Sequence, residues 1–179
     1  DEEYIMECYN RLKPKYPDLL LIIAPRHVHR LGQIQKLLQE RKLIFAVRSH
    51  NQPISITTDV YVADTLGELG LFYSLAEISF IGGSIKNGGH NIIEPSFFNT
   101  VILFGPDMKN FANIAQEYLQ QKAAIMCENL GAAAQNIDYL LSDLQIQSSY
   151  HTAATKLLDS KNSITQLYLQ NISKIIDNA

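Results

Sequence analysis

Six short apolar runs constrain this chain most: Leu19–Ala24, Leu43–Val47, Val60–Ala63, Ile78–Ile81, Val101–Phe104 and Ala123–Met126. Helical patterns near 29–41, 66–76, 91–98 and 110–121 lie between them. Strands of this length separated by helix-length segments need crossover connections, so they pair in parallel and are covered on both faces. The spacing predicts an α/β fold, a Rossmann-like open parallel sheet with helices on both faces. The chain opens in a helical pattern at Glu2, Glu3, Tyr4, Ile5 and Met6. Beyond Asn129 the pattern contains no further strand, and Ile164, Leu167, Tyr168, Ile172, Ile175 and Ile176 keep helical spacing. These patterns predict one α/β domain over 1–160 and an amphipathic C-terminal helix over 161–179, with 145–149 read as merely polar.

Composition removes several classes of function. A net charge of −3 provides no global basic field for nucleic acid or anionic lipid. Any bound anion must then be held locally. Cys8 and Cys127 are far apart and form no C-x-x-C, which favours a reducing compartment over disulfides or structural zinc. The longest apolar stretch, Leu19 to Pro25, is far short of the roughly 20 residues of a membrane helix. No signal peptide is visible. The absence of an initiator Met and the helical opening read as a fragment whose missing N-terminal part could hold an anchor or catalytic groups.

In open parallel sheets, ligands bind beyond the carboxyl ends of the strands. Pro25-Arg26-His27 comes after the first run, Asp64-Thr65-Leu66-Gly67-Glu68 after the third, and Gly82-Gly83-Ser84 after the fourth. Gly88-Gly89-His90-Asn91-Ile92-Ile93-Glu94-Pro95 continues that last loop, and Gly105-Pro106 with Asn110-Phe111 comes after the fifth run. Glycines, an arginine and carboxylates therefore converge on one expected rim.

Each has an ordinary reading beside the functional one. A helix starting at Asn91 would aim unpaired N–H groups and a positive dipole at a phosphate, but Asn91 and Glu94 also have capping-box spacing. Thr65 and Glu68 fit the capping box better still. Gly67 in a first helical turn costs about 1 kcal/mol relative to Ala, which suggests close passage of something along that turn. Arg26 is either a surface arginine or a phosphate clamp. His27 and His29 lack a carboxylate or Cys at ligand spacing, so no metal site is expected. No D-x-D, G-x-S-x-G or P-loop motif occurs.

The run D-T-L-G-E-L-G-L-F-Y at 64–73, F-I-G-G-S at 80–84 and G-G-H-N-I-I-E-P at 88–95 resembles the C-terminal domain of bacterial 3-deoxy-D-manno-octulosonic acid (Kdo) transferases. A-P-R-H at 24–27 and G-P-x-x-x-N-F at 105–111 fall in the same order. The resemblance covers nearly the whole chain. It implies the C-terminal half of a GT-B glycosyltransferase that transfers Kdo from CMP-Kdo to a lipid A precursor, with inversion and without a metal or other cofactor. It also implies work at the cytoplasmic face of the bacterial inner membrane. By the same resemblance, Pro25, Arg26, Leu66, Gly67, Glu68, Asn91, Ile92, Ile93 and Glu94 contact the CMP part of the donor. The catalytic base is implied to lie in an N-terminal domain, so no catalytic residue is assigned to this chain.

One departure concerns the sheet. The family has a strand and a Ser/Thr-His-x-Gly-Glu loop just before the helix with which this chain begins. A doubly wound sheet without its central strand should show a gap or direct pairing of the flanking strands. Two rivals stand beside this reading: a GT-B enzyme or epimerase using a UDP-sugar, and a non-catalytic nucleotide-binding module.

Overall fold

The computed structural model describes the backbone of residues 1–177 and the side chains of residues 1–161. The chain begins with α1 (Glu2–Leu12), then β1 (Leu21–Ile23), α2 (Leu31–Glu40), β2 (Phe45–Val47) and β3 (Val60–Val62). Next come α3 (Leu69–Leu75), β4 (Ile78–Ile81), β5 (Val101–Phe104), α4 (Ala112–Gln120), β6 (Ala124–Met126), α5 (Leu130–Ser142) and α6 (Leu144–Asp177). Every one of the six apolar runs holds a strand, and all pairings are parallel.

The strands form two three-stranded sheets, ordered β1-β3-β2 and β4-β5-β6, rather than one continuous sheet. Among the described residues no ladder joins β1 to β4. Of the two possible outcomes at the central position, direct pairing of the flanking strands does not occur. Helix α1 spans the division instead. Its Met6 packs with Ile23, Ile34 and Leu38 of the first sheet's core. Its Cys8 and Leu12 pack with Val101 and Leu103 of the second, and the Tyr4 ring lies 5.6 Å from that of Phe80.

Strand β5 displays the two-faced burial of a parallel sheet. Successive side chains of a strand point to opposite faces. Ile102 and Phe104 meet Ala115 and Tyr118 of α4 and Leu157 of α6. Val101 and Leu103 meet α1 and Ala133, Ile137 and Leu140 of α5. Burying a large aliphatic or aromatic side chain in this way contributes about 1.5–3 kcal/mol.

The C-terminal part differs from the expectation. The apolar pattern does not predict helix α5, and α6 begins at Leu144, so the polar stretch 145–149 forms its first turns. Each helix has its own start signal. Asn129 Oδ1 accepts the Ala132 N–H at 3.0 Å, and Asp143 Oδ1 accepts the Gln145 N–H at 2.8 Å. The polar Gln147 is buried because its amide donates to the Leu140 carbonyl at 2.8 Å. The apolar face expected from Ile164, Leu167, Tyr168, Ile172, Ile175 and Ile176 lies outside the residues whose side chains are described. No described helix is long and apolar enough to cross a membrane.

Candidate functional site

Parallel strands bring the loops after β1, β2, β3, β4 and β5 to the carboxyl rims of the two sheets. The loop after β4 is the most constrained. Gly83 has a φ of +73°, and its carbonyl accepts the Asn87 N–H at 2.9 Å and the Gly89 N–H at 3.0 Å. The loop therefore closes on its own start. The loop after β5 braces it from behind: Asp107 Oδ2 accepts the Gly88 N–H at 2.9 Å, and Asn110 N–H donates to the Gly88 carbonyl at 2.9 Å. Ser84 ties both strand ends, donating to the Ile81 carbonyl at 2.6 Å and accepting the Gly105 N–H at 2.7 Å. A Cβ at Gly105 would stand 2.5 Å from the Ser84 carbonyl oxygen, so the G-P-x-x-x-N-F segment is a buttress for the Gly-rich loop.

The closed loop delivers His90 to Arg26. Arg26 Nη1 lies 3.1 Å from His90 Nδ1, linking the loop after β1 with the loop after β4. The Asp1 carboxylate makes a second link by accepting the Gly83 N–H. Helix α3, which follows segment 66–68, packs on the one-turn 3-10 helix Glu94–Phe97 at the end of segment 91–94. There the Tyr73 and Phe98 rings stand 5.9 Å apart. The elements next to the three segments are thus linked, through His90 in one case and through α3 in the other.

Their local structure corrects both capping-box readings. The Thr65 hydroxyl donates to the Glu68 carboxylate instead of capping a backbone N–H, and α3 begins only at Leu69. Asn91 Oδ1 accepts the Ile93 N–H at 2.9 Å in a tight turn. This turn leads into four residues of 3-10 helix rather than an α-helix from Asn91, too short to direct a macrodipole at a phosphate. Gly67 lies outside the helix with a φ of +82°, and an added Cβ would meet no atom within 4 Å. Its left-handed backbone, not a crowded neighbour, accounts for glycine there.

The candidate side chains differ in availability. Arg26, Leu66, Asn91 and Glu94 are exposed, Pro25, Glu68 and Ile93 partly so. Ile92 is fully buried in the core between α4 and the second sheet, so only its backbone can face a ligand. Glu94 has no hydrogen-bond or ion-pair partner among the described residues. Its charge is felt by Tyr73, whose hydroxyl is pushed up to about 12 by burial first and by Glu94 second.

Sequence reasoning misses Arg48. It comes directly after β2 on the same rim and donates to Glu68 twice, Nη2 to Oε1 at 2.7 Å and Nε to Oε2 at 3.1 Å. These hydrogen bonds, then that from Thr65, hold the Glu68 carboxyl down at about 2. Glu68 is therefore an ionised acceptor at neutral pH. Beside it Asp64 is buried, accepting the Ser49 N–H at 2.9 Å and the Ser49 hydroxyl at 2.5 Å, which anchors the loop after β2 to that after β3. An exposed guanidinium on a rim that also carries two carboxylates can bind an anion carrying hydroxyl donors, such as a nucleotide. No cluster of three or more His, Cys, Asp or Glu suited to a metal exists among the described residues.

Comparison with known proteins gives the arrangement a family. No family model matches the chain. It is 38% identical to the 3-deoxy-D-manno-octulosonic acid transferase of Rickettsia felis over 179 residues, which is 98% of this chain and 38% of that protein. The chain thus spans well under half the length of the curated relatives it matches. A domain of glycosyl transferase group 1 family protein LpcC from Francisella tularensis shares the fold at a TM-score of 0.63 and 12% identity, covering 89% of this chain and 77% of that one. The crystal structure of the C-terminal CMP-Kdo binding domain of WaaA from Acinetobacter baumannii overlays with a TM-score of 0.83 at 32% identity. That match covers 88% of this chain and 83% of the solved one. With its sequence motifs on the rim of that fold, the chain belongs to the family of Kdo transferases.

Proposed function

We propose that this chain holds the donor of a Kdo transferase, binding the CMP part of CMP-Kdo along the rim formed by Pro25, Arg26, Leu66, Gly67, Glu68, Asn91, Ile92, Ile93 and Glu94. The observation that carries the reading is the place of these segments after strands β1, β3 and β4 in a fold that overlays on a CMP-Kdo binding domain at a TM-score of 0.83. The chemistry supports it. Arg26 would neutralise the phosphate, while Glu68 and Glu94 would accept hydrogen bonds from ribose hydroxyls or the cytosine amine. Ile92 and Ile93 would contribute backbone groups.

Within the longer protein, the reaction is inverting transfer of Kdo to a lipid A precursor in lipopolysaccharide synthesis, at the cytoplasmic face of the inner membrane. The reading includes no metal. An inverting transfer needs a base within hydrogen-bond reach of the acceptor hydroxyl. Glu68 is tied to Arg48 and Thr65 and held ionised far below neutrality, which suits an anchor and not a base. Glu94 stands with the same group on the nucleotide side. The base then comes from the N-terminal domain of the longer protein.

The test compares this chain alone with a chimaera joining it to the remaining portion of the Rickettsia felis transferase. Both are given CMP-Kdo and a lipid A precursor and monitored for CMP release and product mass. Transfer is expected from the chimaera only. Turnover by the chain alone would move the base into this domain and overturn the division of labour.

A further inference from the structure

We propose that His90 is a positioning residue for Arg26, setting through its Nδ1 lone pair the direction in which the guanidinium meets the donor phosphate. The inference rests on the donor-site reading of Arg26 and adds a residue to it.

The geometry has three parts. First, Arg26 Nη1 stands 3.1 Å from His90 Nδ1. Arginine has only donors, so Nδ1 must accept, and the imidazole proton must sit on Nε2. Second, the ring has little freedom. A Cβ on Gly83 would lie 2.9 Å from Cε1 and 3.1 Å from Nε2, and one on Gly82 would lie 3.5 Å from Cδ2. The ring therefore rests on the Gly82-Gly83 backbone, and Gly83 has no room for a side chain. Third, the loop is closed by two hydrogen bonds to the Gly83 carbonyl and braced by Asp107 and Asn110, so the backbone that carries His90 is fixed.

Arg26 needs such a brace. It is exposed, with no carboxylate paired to it among the described residues. A free arginine would lose rotamer entropy on meeting an anion, and a neutral acceptor reduces that loss without neutralising the charge. A carboxylate in the place of His90 would fix Arg26 equally well and compete with the phosphate. The surroundings favour a neutral imidazole: burial, then the Arg26 charge, hold His90 below the usual histidine range against a backbone hydrogen bond with Gly89 that acts the other way, and His27 adds to the lowering. The Asp1 carboxylate lies on the Gly83 side of the ring.

The test is a double-mutant cycle on CMP binding, read by calorimetry. His90→Phe keeps a ring without the acceptor and should weaken CMP binding roughly three- to tenfold, the loss of one hydrogen bond. His90→Asn places its amide oxygen where Nδ1 was and should stay within roughly twofold of wild type. In an Arg26→Ala background, His90→Phe should change nothing further. Wild-type affinity in His90→Phe, or an equal loss with and without Arg26, would overturn the role of His90 while leaving the donor site standing. Absence of CMP binding by the wild-type chain would overturn both. If His90→Phe does not fold, the long-range ¹⁵N spectrum of wild-type His90 decides: a proton on Nε2 supports the inference, and a proton on Nδ1 overturns it.

Discussion

Arg48 grips Glu68 with two roughly parallel hydrogen bonds, Nη2 to Oε1 at 2.7 Å and Nε to Oε2 at 3.1 Å. The pair joins the loop after β2 to the loop after β3, and Thr65 completes the hold on the same carboxylate. Fork-to-fork geometry fixes orientation as well as distance. Glu68 therefore faces the rim already ionised and already aimed.

This pairing makes part of the stability acid-sensitive. The Glu68 carboxyl is held near 2, below its ordinary value of 4.5, by Arg48 and Thr65. Its stabilisation is present in full above about pH 4.5 and is lost as pH falls through about 2. Arg48→Ala should be less stable than wild type near pH 6, and the difference should shrink towards pH 2. Urea unfolding of both proteins between those limits reads it, and a constant difference would contradict the pairing.

Arg26→Ala should weaken CMP binding without affecting the fold, since Arg26 is exposed and its described hydrogen bond is to His90. Because the guanidinium stays in contact with water, the loss should be about 1.5 kcal/mol, the lower end for a hydrogen bond to a charged group and roughly tenfold in affinity. Calorimetry at one ionic strength measures it, with thermal unfolding as the control.

Glu94 separates the cap from the ligand contact. Among the described residues it accepts no backbone hydrogen bond, and the turn before it is closed by Asn91 instead. Glu94→Gln should therefore leave stability within about 0.5 kcal/mol of wild type and weaken CMP binding. A lowered melting temperature with unchanged affinity would return Glu94 to a structural role.

Much of this is legible in the residues, for identifiable reasons. The six strands declare themselves because buried parallel strands are near-continuous apolar runs, as Val101-Ile102-Leu103-Phe104 is. The rim is legible because parallel strands put all their carboxyl ends on one side. The features that escape depend on partners distant in sequence. Nothing in residues 43–50 says that Arg48 will find Glu68, although its place just after a strand on the rim is a usable signal. Thr65 and Glu68 have capping-box spacing, yet Thr65 spends its hydroxyl on the Glu68 side chain, and periodicity cannot foresee that choice. The division of the sheet is one of the two outcomes expected at the central position; the strand pattern cannot choose between them, because a series of strands does not record which neighbours pair. Helix α5 escapes through its composition: Gly131 and the alanines after it make a weak apolar stripe, and Asn129 at the N-cap is the signal that marks it.

The most direct measurement is a calorimetric titration of the chain with CMP, UMP and AMP under one set of conditions. A rim built for the CMP half of a donor should take CMP most tightly, UMP less well because it lacks the cytosine amine, and AMP least. Arg26→Ala should lower the CMP signal most. Equal affinity for the three nucleotides would contradict a CMP-specific site and leave Arg26 as a general anion contact.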